Sequence, residues 1–338
     1  VPGACPFLSG KKRRETGASG EIKKDRMKAL LHFKTLTLSD IPVVRPFLKW
    51  QDSRICDYSI GGIFMWRDYF KTYFTIYRNT LIFKVKYLGG VMAFPVPIGE
   101  NPAAAMDQIE DYCRRNGLPL IYCTVPAGAL PALKRRYPAL SAEPNRDWFD
   151  YLYRTEDLLS FRGRKFDGQR NHIHRFQRLC PGYSFREITD GNLDAVRSFY
   201  AQFAEEHQKA SPVAREESAK TMELLERYGQ YGLFGGFLWT GDRIAGVSIG
   251  EIVGDTLFVH VEKADTRYTG VYQVLVQEFL KHFATERTVY VNREEDVGDA
   301  GLRKSKFSYH PAALLEKSTV RAFPGGAPSR NVKEGGQA

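Results

Sequence analysis

Two glycine-aspartate pairs, Gly241-Asp242 and Gly254-Asp255, cut residues 233–262 into three strand-length runs, and this punctuation constrains the fold more than any other feature of the chain. Such pairs fit the positive φ values that tight hairpin turns require. The runs 233–240, 243–252 and 256–262 are rich in Val, Ile, Leu and Phe, so they are expected to form an antiparallel meander.

The flanking pattern completes a unit around that meander. A strand over 183–187 precedes a helix over about 192–206, where Leu193, Val196, Phe199, Tyr200 and Phe203 recur at helical spacing. Ser211-Pro212 opens a second helix to about Tyr228. After the meander come a helix over about 270–283, a strand over 289–292, a short helix near 302–306 and a closing strand over 313–320. The order is β-α-α-β-β-β-α-β-α-β. The first half follows the same plan more loosely: a strand over 30–38, helical pieces in 40–51 and 60–68, and strands over 73–78, 81–87 and 91–96. A helix over 102–115, a strand over 120–125, a helix near 130–136 and a strand over 148–153 complete it. Repetition of element order without repetition of residues suggests a duplicated architecture. The expected division is a basic tail over 1–26, a first unit over 27–157, a second over 158–322 and a tail over 323–338. Met27 is read as the natural start.

The formal charge of +10 on 338 residues is unevenly spread. Residues 1–26 carry +4 and residues 161–178 carry +5. The first stretch is rich in Gly and Ser without apolar periodicity and reads as a solvated tail, or as a basic arm that touches nucleic acid or membrane. The second has helical logic: Arg170, His174 and Arg178 fall at i, i+4 and i+8 before Cys180-Pro181-Gly182 stops the helix. That row is either a polyanion footprint or a solvated connector. His172 and His174 diverge on a helix and do not form a metal pair.

Five cysteines without CxxC spacing favour reduced thiols and a cytoplasmic setting. The longest uncharged stretch, 117–133, is interrupted by three prolines and a glycine, so no membrane-spanning helix is expected. A peripheral membrane contact stays open, and no metal is assigned.

Chemistry concentrates in 262–272 and 289–311. At the first, a strand leads through Arg267 and Gly270 into a helix whose leading N–H groups suit phosphate or a developing oxyanion. The matching junction of the first half is proline-rich, so an anion site belongs to the second half. Glu262 and Glu295 are candidates for acceptor orientation or general base, and Tyr309 for proton donor. Arg267, Arg293, Lys304 and Lys306 are candidates for holding phosphate. Glu294 and Asp299 read equally as a helix entrance, Asn292 with Arg293 and Glu295 as an internal ion-pair network, and Tyr309 as a core phenol.

Arg267-x-x-Gly270-x-Tyr272 resembles the pyrophosphate loop of GNAT acyltransferases, with Tyr272 in place of the last small residue. That departure argues against ordinary acetyl-coenzyme A chemistry. The run 289–311, with Arg170-Asn171-His172-Ile173, Glu262-Lys263-Ala264-Asp265 and Leu314-Leu315-Glu316-Lys317, resembles the family of the C-terminal catalytic domain of phosphatidylglycerol lysyltransferases over roughly residues 28–320. The resemblance implies an α/β (α+β) fold of two tandem GNAT-like units, each a mixed, mostly antiparallel sheet flanked by helices, related to the Fem-type transferases. It implies an aminoacyl group taken from aminoacyl-tRNA, with no permanently bound cofactor. Gly270, Tyr272, Asn292 and Arg293 would then belong to the donor site and Arg170, His174 and Arg178 to the tRNA contact. The acceptor, an amine or a hydroxyl, is left open. The alternatives are an acyl-CoA-dependent N-acyltransferase and a non-catalytic RNA-binding module.

Overall fold

The computed structural model describes residues 30–207 and 212–324. The basic tail 1–26, Met27, Cys5 and residues 325–338 lie outside the described residues.

In the first half, helix α1 (Ile60–Met65) begins where the Ser59 hydroxyl accepts the Gly62 N–H, an N-cap that satisfies an otherwise unpaired donor. Strands β1 (Tyr73–Tyr77) and β2 (Thr80–Lys86) form a hairpin through Arg78 and Asn79, both with positive φ. Helix α2 (Pro102–Arg115) starts on proline and buries Ala105, Ile109 and Cys113 in a cluster with Tyr122 of strand β3 (Leu120–Pro126). The expected strand over 91–96 shortens to Met92–Ala93, because Pro95 and Pro97 have no N–H to give a ladder. The expected strand over 30–38 shortens to Lys34–Thr35; from Leu38 the chain turns helical, with the Asp40 carboxylate accepting the Thr37 N–H.

Strands β4 (Ser141–Pro144) and β5 (Asp150–Arg154) follow, then helices α3 (Thr155–Ser160) and α4 (Asp167–Leu179). The second half runs through β6 (Ser184–Glu187), α5 (Leu193–Glu206), α6 (Pro212–Glu226), β7 (Phe234–Trp239), β8 (Ile244–Val253) and β9 (Thr256–Ala264). It ends with α7 (Val271–Phe283), β10 (Tyr290–Asn292), α8 (Ala300–Ser308), β11 (Ala313–Leu315) and β12 (Lys317–Ala322). The meander is present as expected, with β8 antiparallel to both β7 and β9.

The division at residues 157/158 does not divide the sheets. Strand β5, expected to close the first half, lies inside the seven-stranded sheet β11-β5-β10-β9-β8-β7-β6. Strand β12 leaves the second half and pairs with β3 and β4 of the first. A single strand was expected over 313–320; it breaks at Glu316, where Lys317 turns its side chain inward. One piece then pairs with β5 and the other with β3 and β4, so each half holds a strand of the other. The core is shared as well: Phe64, Phe74 and Leu81 cluster with Val196, Leu224, Ile249 and Val261.

Gly270, at the N-cap of α7, has φ +90, and a Cβ there would sit 2.0 Å from the carbonyl oxygen of His172 on α4. Its missing side chain lets two helices meet. Gly270→Ala is expected to cost at least about 2 kcal/mol, from overpacking together with the unfavourable φ. A denaturant midpoint that falls with an unchanged slope would check it.

Candidate active site

Strands β9 and β10 are the parallel pair of the seven-stranded sheet, and they are paired only from Thr256–Tyr290 to Phe258–Asn292. Beyond Phe258, β9 continues to Ala264 while the chain after Asn292 turns away. The wedge between them opens into a cavity of about 1480 Å³, which also reaches the first turn of α7, His172 of α4, and the apolar faces of α5 and α6.

Glu262, Gly270, Tyr272, Arg293, Glu295, Lys306 and Tyr309 line this cavity together. Arg293 donates to Glu262 at 2.5 Å, and its guanidinium lies 4.4 Å from the Tyr309 ring centroid. Its Nη1 is buried without a hydrogen-bond partner. Glu262 is therefore an ion-pair partner that orients Arg293. Tyr309 packs with Tyr153 and Phe161 in the core, where its ring forms part of the cavity wall, and burial pushes its phenol well up. Tyr272 reaches back along β9, where its hydroxyl accepts the Ala264 N–H.

Lys306 does not face a phosphate. Its Nζ donates to the carbonyl oxygens of Arg293, Glu294 and Glu295 at 2.6, 3.1 and 2.5 Å, which uses all three donors of an ammonium. Burial pushes its pKa down. Lys306 thereby shapes the turn that carries the acidic residues. Asn292 is fully buried behind the wedge, donating to Arg54 O and Asp150 Oδ2 and accepting the Glu294 N–H. Arg267 is exposed and paired with Asp265, and Lys304 is exposed away from the cavity lining. Arg170 donates to the carbonyls of Phe161 and Gly163. His174, Arg175 and Arg178 stay exposed on the helix whose His172 lines the cavity. Asp299 accepts the Leu302 N–H as the N-cap of α8.

Glu295 reaches toward the first half of the chain. Its Oε2 accepts from the Cys56 thiol at 3.3 Å and lies 3.7 Å from Lys317 Nζ. Burial, aided by Asp150 and only partly opposed by Lys317, pushes its carboxyl up to about 8. Lys317 is 2.7 Å from Asp150 and 2.6 Å from Asp57. Cys56, Asp150 and Glu295 are close enough to hold a metal ion, but the Lys317 ammonium already stands among them, 3.3 Å from the Cys56 sulfur. Burial and the neighbouring carboxylates push the Cys56 thiol well up, which disfavours its thiolate.

A second buried charge cluster fixes the preceding residue. His260 holds Glu294 at 2.8 Å through Nδ1 and Glu251 at 3.0 Å through Nε2. Gly61 of α1 donates to the same Glu251 oxygen, and any side chain at 61 would meet the His260 ring. Glu294 has φ +57, so the left-handed turn that delivers Glu295 is clamped from β9 and from the first half.

Burial would lower the His260 pKa, but its two carboxylate partners outweigh burial and raise it from 6.5 to about 9. A folded-state pKa above the unfolded one gives stability that is complete below about pH 6.5 and lost as pH rises through about 9. Glu295 acts in the same sense between its ordinary 4.5 and about 8. Thermal stability is therefore expected to fall from pH 6.5 to pH 9, as melting curves across that range would record. The His260→Gln variant should show a flatter fall.

Lys317, Asp150, Cys56, His260 and Glu251 are absent from the sequence-based candidates. A signal for Lys317 was present in Leu314-Leu315-Glu316-Lys317, but nothing in a strand-like run shows that one lysine points inward.

The family described as phosphatidylglycerol lysyltransferase, C-terminal, matches residues 51–321. A conserved protein of unknown function from Bacteroides thetaiotaomicron is similar over 86% of this chain and 99% of its own, with 30% identity and a TM-score of 0.79. The L-PGS of Bacillus licheniformis shares the fold over 83% of this chain and 91% of its own, with 12% identity and a TM-score of 0.58. An uncharacterized protein of Mycoplasmoides gallisepticum is 23% identical over 177 residues, 52% of this chain and 56% of that protein, so the match spans little more than half the length of this curated relative. No helix among the described residues is long and apolar enough to cross a membrane. With the matched residues 51–321 covering most of the chain, the chain belongs to the family of the phosphatidylglycerol lysyltransferase C-terminal domain.

Proposed function

We propose that the protein transfers an aminoacyl group from aminoacyl-tRNA to an acceptor bound beside Glu295. The observation that carries this reading is the lining of the wedge, where Glu295, whose carboxyl burial pushes up to about 8, and the Arg293 guanidinium share one cavity. An aminoacyl ester is already activated. Its transfer needs a positioned nucleophile, a group that takes one proton, and a cation or N–H donors for the developing oxyanion. Glu295 supplies the proton acceptor, and Arg293, oriented by Glu262, supplies the charge with its unpaired Nη1. His174, Arg175 and Arg178 supply a basic track on the helix that reaches the cavity through His172.

Two features weaken the coenzyme A alternative. The place of a Cβ at Gly270 is taken by the His172 carbonyl of α4, so the glycine serves helix packing there, and Arg267 is paired with Asp265. The test is incubation of the purified chain with radiolabelled aminoacyl-tRNAs and a panel of acceptors. Label should pass from one or a few charged tRNAs to an acceptor, with salt-dependent binding of the tRNA. Label transfer from acyl-CoA instead would establish the alternative.

A further inference from the structure

A smaller cavity of about 80 Å³ lies on the other side of Glu295. Glu295 and Trp66 line both cavities and form the wall between them. Trp66, Phe70, Tyr87 and Trp148 line the small one, and Phe70 sits 6.2–6.4 Å by ring centroids from each of the other three. Cys56 and Asp57 complete its polar end.

The charges at that end do not balance. Three carboxylates, Asp57, Asp150 and Glu295, surround one ammonium, Lys317, which is 2.6 Å from the first, 2.7 Å from the second and 3.7 Å from the third. Glu295 is the carboxylate farthest from that ammonium. A buried carboxylate in that position either takes a proton or waits for a cation. Aromatic faces favour a cation as well. An alcohol would gain one hydrogen bond there and none of the charge compensation.

Taking the roughly 30 Å³ share of a liquid water molecule as the unit, the slot holds about three non-hydrogen atoms. We infer that this aromatic slot is the acceptor site and that the acceptor is a primary alkylammonium group, the end of a larger amine, which pairs with Asp57 and Glu295 at the polar end of the slot. The inference rests on the aminoacyl-transfer reading. In the step it implies, the ammonium gives one proton to the Glu295 carboxylate and the freed nitrogen lone pair attacks the ester carbonyl carbon. The C–N bond forms, the ester C–O bond breaks, and the leaving ribose oxygen takes the second nitrogen proton. The products are an amide, the free tRNA 3′ end and one proton, released from Glu295 to solvent.

Calorimetric titration of the full chain with ethylammonium and with ethanol tests the slot without any donor. Ethylammonium should bind saturably and at least about tenfold more tightly than ethanol, the factor that one cation–π contact of about 1.4 kcal/mol gives. Trp148→Leu should weaken it about tenfold, Trp148→Phe should restore most of the loss, and Glu295→Gln should abolish it. Equal binding of ethanol and ethylammonium, or ammonium binding unchanged in both Trp148→Leu and Glu295→Gln proteins that melt cooperatively, would overturn the inference. The two readings fail separately. Ammonium binding without transfer from any charged tRNA removes the donor and leaves the slot, whereas transfer to alcohols but not to amines removes the slot and leaves the donor.

Discussion

Glu295→Gln is expected to lower kcat for aminoacyl transfer by about 10²–10⁴-fold, the range over which a positioned general base contributes. The variant should fold normally. Glutamine mimics the protonated acid, and the folded protein already favours that form because burial raises the Glu295 pKa to about 8. Thermal stability should hold or rise, most visibly above pH 8, where wild type must keep a carboxylate in a dry site. Loss of turnover with retained stability is the signature of a proton acceptor; loss of both together would mark a structural residue. Parallel measurement of melting temperature and initial rate at pH 7 and pH 8.5 separates the two.

Lys317→Met is expected to destabilise the fold by about 3–5 kcal/mol, the cost of removing one partner from a buried ion cluster. Lys317 is 2% exposed and holds Asp150, itself fully buried, at 2.7 Å. Burial would raise the Asp150 pKa, but Lys317 outweighs burial and draws it below the usual carboxylate range. Without the ammonium, Asp150 and Asp57 are left as uncompensated charges between the two sheets that β5 and β12 join. Pairing the variant with Asp150→Asn should recover part of the loss, because the second change removes the stranded charge. Urea unfolding of the single and double variants reads this directly, and additivity of the two single effects would contradict it.

The meander, its turns and α7 were legible because hydrophobic period and turn chemistry are local properties of a sequence. Partner choice was not. Residues 148–153 and 313–320 read as strands, but nothing in their pattern says that the first pairs with the second half or that the end of the second pairs with the first half. The site was legible to the same degree. Glu295, Arg293, Glu262 and Tyr309 do come together in one cavity, because residue type and place after a strand carry chemistry. Lys306 and Asn292 look no different in sequence, yet one is spent on three carbonyl oxygens and the other on packing β10 against the first half. Gly270 shows the same limit, since an α4 carbonyl and not a ligand excludes a side chain there. The opposing wall, with Lys317, Asp150 and Cys56, is built from elements about 100 to 260 residues apart in the chain, a separation that no short motif encodes.

The aminoacyl-transfer reading is tested most directly by single-turnover transfer from preformed radiolabelled aminoacyl-tRNA, with wild type and Glu295→Gln compared side by side. The expected result is label moving from at least one charged tRNA to an acceptor with wild type, and a rate lower by at least about 10²-fold with Glu295→Gln. No transfer from any charged tRNA with a folded, tRNA-binding wild-type protein, or equal rates for the two proteins, would contradict it.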